Sequence, residues 1–87
     1  MKLRKEYLST AIGGQTVLVP VGAATKTFNG VARLNETAGF IVDCLKSETT
    51  AEQIADALCA AYEVEPAVAQ AHVNEIINKL REIGAIE

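Results

Sequence analysis

Along this chain the apolar positions first recur every second residue and then, from Asn35 onward, every third and fourth. The first regime predicts strands and the second predicts helices, because side chains alternate across a strand and return every 3.6 residues on a helix. Tyr7 to Ile12 is a loosely alternating run that ends at Gly13-Gly14, a dipeptide suited to the positive φ angles of a tight hairpin. Gln15 to Val21 is rich in valine and predicts the return strand, with Pro20 confined to its end or to an edge because it has no amide hydrogen. Gly22 to Thr27 has no periodicity and is expected to be a loop. Asn29-Gly30 is a second turn signal, and Val31 to Leu34 forms a short third strand.

The helical part is punctuated by caps. Asn35 is a good N-cap with Glu36 in the first turn, and Thr37, Phe40, Ile41, Cys44 and Leu45 share one face at i, i+3, i+4, i+7 and i+8. Lys46 to Thr49 breaks that helix. Thr50-Ala51-Glu52-Gln53 then forms a capping box, opening a second helix expected to bury Ile54, Leu58, Ala61 and Tyr62. Pro66 suits the first turn of a third helix, whose apolar side carries Ala69, Val73, Ile76, Ile77, Leu80 and Ile83. Gly84 is a left-handed stop, and Ile86 is placed to fold back onto the last turn. The expected fold class is α+β: three N-terminal antiparallel strands followed by three helices that cover the sheet's apolar face.

Composition narrows the picture. Eighty-seven residues make a single domain spanning 1–87, and a 49% hydrophobic content can fill its core. No apolar run approaches the roughly 18–20 residues of a membrane span, and the basic start Met1 to Lys5 is not followed by a signal-peptide core. A cytoplasmic location without membrane association is therefore expected. Charge divides the chain: residues 1–34 hold five basic and one acidic side chain, a net +4, whereas residues 35–87 hold three basic and ten acidic ones, a net −7.

Reactive chemistry is sparse. His72 is the single histidine, so a base and its orienting partner cannot both be histidines, and acid–base catalysis is not expected. Cys44 and Cys59 match no zinc spacing and suit the role of small core residues. Gly13-Gly14 lacks the longer glycine pattern of a phosphate loop. Neither enzymatic activity, nor a metal, nor a cofactor is expected.

At Leu34-Asn35-Glu36-Thr37-Ala38-Gly39 the chain meets a family pattern. With the strand Gly14–Pro20, the run Phe40 to Leu45, Thr50 to Ile54, Leu58 through Val64, and Val73 to Leu80 ending in Gly84-Ala85-Ile86, it resembles the PqqD-like family of precursor-peptide recognition elements. The resemblance covers nearly the whole chain and rests on the order and spacing of these pieces. It implies a winged helix-turn-helix-like fold that acts as a non-catalytic scaffold. Such a scaffold binds the leader of a ribosomally made precursor peptide as an added strand on its third strand, beside the third helix. It then presents the peptide to a modifying enzyme, often a radical-SAM protein of the SPASM type with auxiliary iron–sulfur clusters. The chain departs from the family pattern at Val42, where many members carry tryptophan, and in a longer stretch from Val21 to Gly30.

On that reading the peptide-binding residues are Val31, Ala32, Arg33 and Leu34 on the strand and Val68, His72, Ile76 and Lys79 along one helix flank. The strand has no proline, so each of its amides can donate to a foreign segment, and Arg33 can fork a peptide carboxylate. Each residue also has a plainer role: Val31, Leu34 and Ile76 as core, Arg33 as a solvated edge charge, Lys79 as a complement to the end of its helix. The competing reading is a winged-helix DNA-binding regulator. Its recognition helix would offer Gln70, His72, Asn74, Asn78, Lys79 and Arg81, but a helical half of net −7 repels phosphate, so no nucleic acid partner is expected. The same open edge would also serve self-pairing in a homodimer.

Overall fold

A computed structural model describes residues 1–26 and 30–86. The element order is β1 (Tyr7–Ile12), β2 (Gln15–Pro20), a short 3₁₀ helix (Gly22–Lys26), β3 (Ala32–Leu34), α1 (Glu36–Cys44), α2 (Ala51–Tyr62) and α3 (Pro66–Glu82). The strands form one antiparallel sheet in the order β1-β2-β3, so β2 is central and β3 is an edge. This is the α+β arrangement the periodicity predicts.

The local signals act as their chemistry requires. Gly13 and Gly14 both take positive φ, 59° and 79°, and turn β1 into β2 with Ile12 opposite Gln15. Pro20 closes β2 beyond the stretch that pairs with β3, where its missing amide breaks no ladder there. The Asn35 carboxamide oxygen accepts from the Ala38 amide at 2.8 Å. In the capping box, Thr50 Oγ1 accepts from the Gln53 amide at 3.1 Å, and Gln53 Oε1 accepts from the Thr50 amide at 3.2 Å. At the end of α3 the Ala85 amide donates to the Leu80 carbonyl and the Gly84 amide to the Arg81 carbonyl, a Schellman closure around Gly84 that leaves Ile86 buried.

The core lies between the inner face of the sheet and the three helices. Leu18, Ile41, Leu45, Ile54, Leu58 and Val73 are fully buried, and each contributes roughly 1.5–3 kcal/mol, more than any one cap. Tyr7 is buried with its ring in this core, and its hydroxyl donates to the Ile83 carbonyl at 2.8 Å. Residues 1–4 run beside the end of the chain: Leu3 bridges to Ile86, and the Arg4 amide donates to the Ala85 carbonyl. The Met1 amino group sits on the Glu48 carboxylate and, by that hydrogen bond, holds its carboxyl below the usual range.

Several expectations need correction. Gly22 to Lys26 is a 3₁₀ helix rather than a loop, anchored by Ala24 in the core and by a Thr25 hydroxyl that donates to the Gly22 carbonyl at 2.7 Å. β3 begins at Ala32, which leaves Val31 outside the strand, while Asn29 of the predicted turn lies outside the described residues. α1 is rotated relative to the expected face: Ala38, Ile41, Val42 and Leu45 are buried, and Thr37, Phe40 and Cys44 are only half-buried. The cause is Gly39, where a Cβ would stand 2.7 Å from Thr16 Oγ1, so the bare backbone of α1 can lie directly on β2. On α2 the buried alanine is Ala55, and Ala61 is exposed.

Candidate functional site

β3 pairs with β2 through Leu34 opposite Thr16, Arg33 opposite Val17 and Ala32 opposite Leu18. Residues directly opposite in a ladder share a face. Ala32 and Leu34 therefore stand on the helix side with Leu18, and Arg33 stands on the other side. Among the described residues the second edge of β3 faces no strand.

Beside that edge lies an apolar cleft of about 200 Å³. Its sheet wall is Leu18, Ala32 and Leu34; Val42 of α1 contributes to the lining; Ile76, Lys79, Leu80 and the following Ile83 form the α3 wall. Among the described residues of this lining, Lys79 is the one that carries a charge. Its Nζ lies 3.2 Å from Glu75 Oε1, one turn earlier on the same helix, and both side chains are exposed. Such a pair is worth at most about 1 kcal/mol, so the ammonium can exchange its partner for a peptide carboxylate at little cost.

Four of the eight sequence-selected residues, Ala32, Leu34, Ile76 and Lys79, thus meet in one cleft. The other four do not line it. Arg33 projects from the opposite face, with Nη1 3.4 Å from Gln15 Oε1. Val31 is exposed just before the strand. Val68 and His72 are exposed on earlier turns of α3, continuing the Ile76–Lys79 flank toward the helix N-terminus. Leu18, Val42, Leu80 and Ile83 also line the cleft and were not selected. Their sequence signal is that of ordinary core, and only the gap between β3 and α3 gives them a second role.

A second cleft, about 450 Å³, lies at the hairpin end between Gly13–Thr16, Glu36 and Asp43. Phe40 and Tyr62 meet there edge to face, with ring centroids 5.5 Å apart. Partial burial and a hydrogen bond to Glu36 push the Tyr62 phenol up. Leu34 of β3 lines this cleft as well. Burial, reinforced by the Asp43 carboxylate, likewise pushes the Cys44 thiol up. Among the described residues no three His, Cys, Asp or Glu side chains converge as a metal site would need, and no helix is long and apolar enough to cross a membrane.

Comparison with known proteins agrees with this layout. The profile of the family described as coenzyme PQQ synthesis protein D (PqqD) matches residues 15–86. Among solved structures, TbiB1 in complex with the TbiA(beta) leader peptide is similar with a TM-score of 0.81 and 22% identity, covering 100% of this chain and 95% of that one. Lasso peptide synthetase B1 complexed with the leader peptide is similar with a TM-score of 0.75 and 26% identity, covering 97% and 93%. None of the curated proteins matches the chain. With a profile match across most of its length, the chain belongs to the PqqD family.

Proposed function

We propose that this chain binds the leader of a ribosomally made precursor peptide by strand addition to β3, and presents it to a modifying enzyme without performing chemistry itself. The observation that carries this reading is the open edge of β3 beside an apolar cleft walled by α3. An added strand takes its affinity from backbone hydrogen bonds and its specificity from alternate side chains, and the cleft is placed to receive those alternate side chains. Both similar structures are described as complexes with a leader peptide, which supports the same reading.

The binding surface extends over Ala32, Leu34, Ile76 and Lys79, with Val31, Arg33, Val68 and His72 at its margins. The family resemblance favours a radical-SAM enzyme as the recipient, whereas the likeness to lasso peptide synthetase B1 favours an enzyme of lasso peptide synthesis. Iron–sulfur absorbance in the enzyme that modifies the bound precursor separates the two. The DNA-binding reading is disfavoured by the net −7 of residues 35–87, which repels a phosphate backbone.

Titration of a synthetic leader into ¹⁵N-labelled protein is expected to give saturable amide shifts concentrated in Gly30–Leu34 and Val68–Lys79. Arg33→Ala is expected to weaken binding by about two- to fivefold, the scale of an exposed charge contact. Shifts that avoid β3, or that appear only with duplex DNA, would refute the proposal.

A further inference from the structure

The hairpin-end cleft and the apolar cleft beside β3 share a wall: Leu34, the last residue of β3, lines both. A strand added along β3 and continuing past Leu34 therefore passes from one into the other. Their chemistry differs. The apolar cleft, about 200 Å³, has Lys79 at its wall, whereas the hairpin-end cleft, about 450 Å³, carries the carboxylates of Glu36 and Asp43 and, among its described lining residues, no cation. Glu36, Phe40 and Asp43 follow each other at i, i+4 and i+7, so one flank of α1 presents acid, ring, acid. Tyr62 of α2 completes an aromatic corner, its ring at 87° to that of Phe40, and both rings are half-buried.

The carboxylates are only partly engaged. Tyr62 hydrogen-bonds Glu36 through its hydroxyl. Ser9 Oγ and Lys46 Nζ both approach Asp43 Oδ1, at 3.0 and 3.4 Å, which leaves Oδ2 without a partner among the described residues. Lys46 and Asp43 are both exposed, and exposed pairs of this kind exchange partners at little cost. Arg33 meets the Gln15 carboxamide from the outer face. The N-terminus of α1 adds roughly half a positive charge, less than the two full negative ones, and Asn35 already caps its Ala38 amide.

We propose that this cleft is a second specificity subsite of the same groove, taking a lysine or arginine side chain of the leader just beyond the segment paired with β3. The inference rests on the β3 reading above. An apolar side chain here would strip water from two carboxylates without compensation, and an acidic one would add a third negative charge. A cation on an aliphatic stem satisfies every wall: the stem lies against the Phe40 and Tyr62 rings and the head meets the carboxylates. The groove then reads two features in order, an apolar side chain beside β3 and a basic one past Leu34. Strand addition by backbone bonds alone can slip by two residues, and the second subsite fixes the register.

The test is fluorescence anisotropy with the synthetic leader of the precursor encoded beside this chain, and with peptides in which each lysine or arginine in turn is methionine. Glu36→Gln/Asp43→Asn keeps the shape of both side chains and is expected to weaken binding of the unaltered leader about three- to tenfold, the scale of two exposed charge contacts. That loss is expected to shrink as NaCl rises from about 0.05 to about 0.5 M. One peptide substitution is expected to weaken wild type by the same factor and to cost the double variant nothing further, a coupling that a merely structural role of the carboxylates does not produce. Glu36→Gln alone leaves Asp43 and its partners in place, guards against misfolding, and is expected to lose about two- to threefold. Equal leader affinity of wild type and folded variants overturns the subsite, as do losses that add for every peptide. A leader that binds with no lysine or arginine beyond its β3-paired segment overturns it too. In each of these cases saturable shifts along β3 keep the strand-addition reading. A leader that does not bind wild type removes that reading, and the subsite with it.

Discussion

β1 and β3 are the two outer strands of one sheet, and on strand-forming sequence alone β1 is the better edge: six residues against three. Yet β1 is engaged on its helix side. The Tyr7 hydroxyl is bound to the Ile83 carbonyl, and the Ser9 hydroxyl donates to Asp43 Oδ1 of α1 at 3.0 Å. β3 has a cleft there instead, because α3 runs past it without closing onto Ala32 and Leu34. What makes an edge receptive is therefore the wall beside it more than the strand's own propensity. A free row of amides supplies affinity, but only a neighbouring cavity can read side chains.

Three substitutions sharpen or break that contrast. The largest effect is expected at Leu18→Ala in β2, which supports both edges and is 1% exposed. The loss of about 3 kcal/mol of stability, read from urea denaturation, should weaken the whole sheet and enlarge the cleft floor. Next comes Ile76→Asp, which puts a carboxylate into the apolar wall. Leader affinity is expected to fall about 30- to 100-fold, or 2–3 kcal/mol, with a smaller loss of unfolding free energy than at Leu18→Ala because Ile76 is half-buried. An unchanged leader affinity would mean that the cleft does not read the peptide. The smallest effect is expected at Ser9→Ala, with a loss of about 0.5 kcal/mol in stability and no change in leader binding. If it impaired binding as much as the cleft variant, the two edges would be coupled and the contrast between them lost.

Much of this contrast was legible before any coordinates. The glycine pair at the hairpin, the Asn35 cap, the Thr50–Gln53 box, Pro66 and Gly84 each state a backbone requirement within a few residues, and local chemistry decides them. The expected α+β order follows from where the period changes. The details that failed depend on distant partners. The rotation of α1 follows from Gly39 meeting Thr16, a contact between elements that no periodicity encodes. Ala61 and Ala55 are interchangeable on propensity, and packing against neighbouring helices chooses between them. Glu63 takes a left-handed φ of 53° at the end of α2, where a glycine would be the expected signal. At the candidate site, Ala32, Leu34, Ile76 and Lys79 could be selected as two flanks, but the cleft between them is a property of spacing. Val42 and Leu18 enter it only because α1 and β2 lie beneath.

The bridge between Leu3 and Ile86, with Arg4 Nε 3.4 Å from the Ile86 carbonyl, gives the fold a single doorway through which the backbone both enters and leaves. A unit whose two ends are neighbours can be spliced into a surface loop of a larger host without stretching either chain, because the host need span only the width of one strand pair. The doorway lies on the side of Tyr7 and the Schellman turn, away from the hairpin tip at Gly13-Gly14. Grafted in this way, the sheet would keep its register and carry its open edge intact, as a cartridge that lends peptide capture to whichever chain receives it.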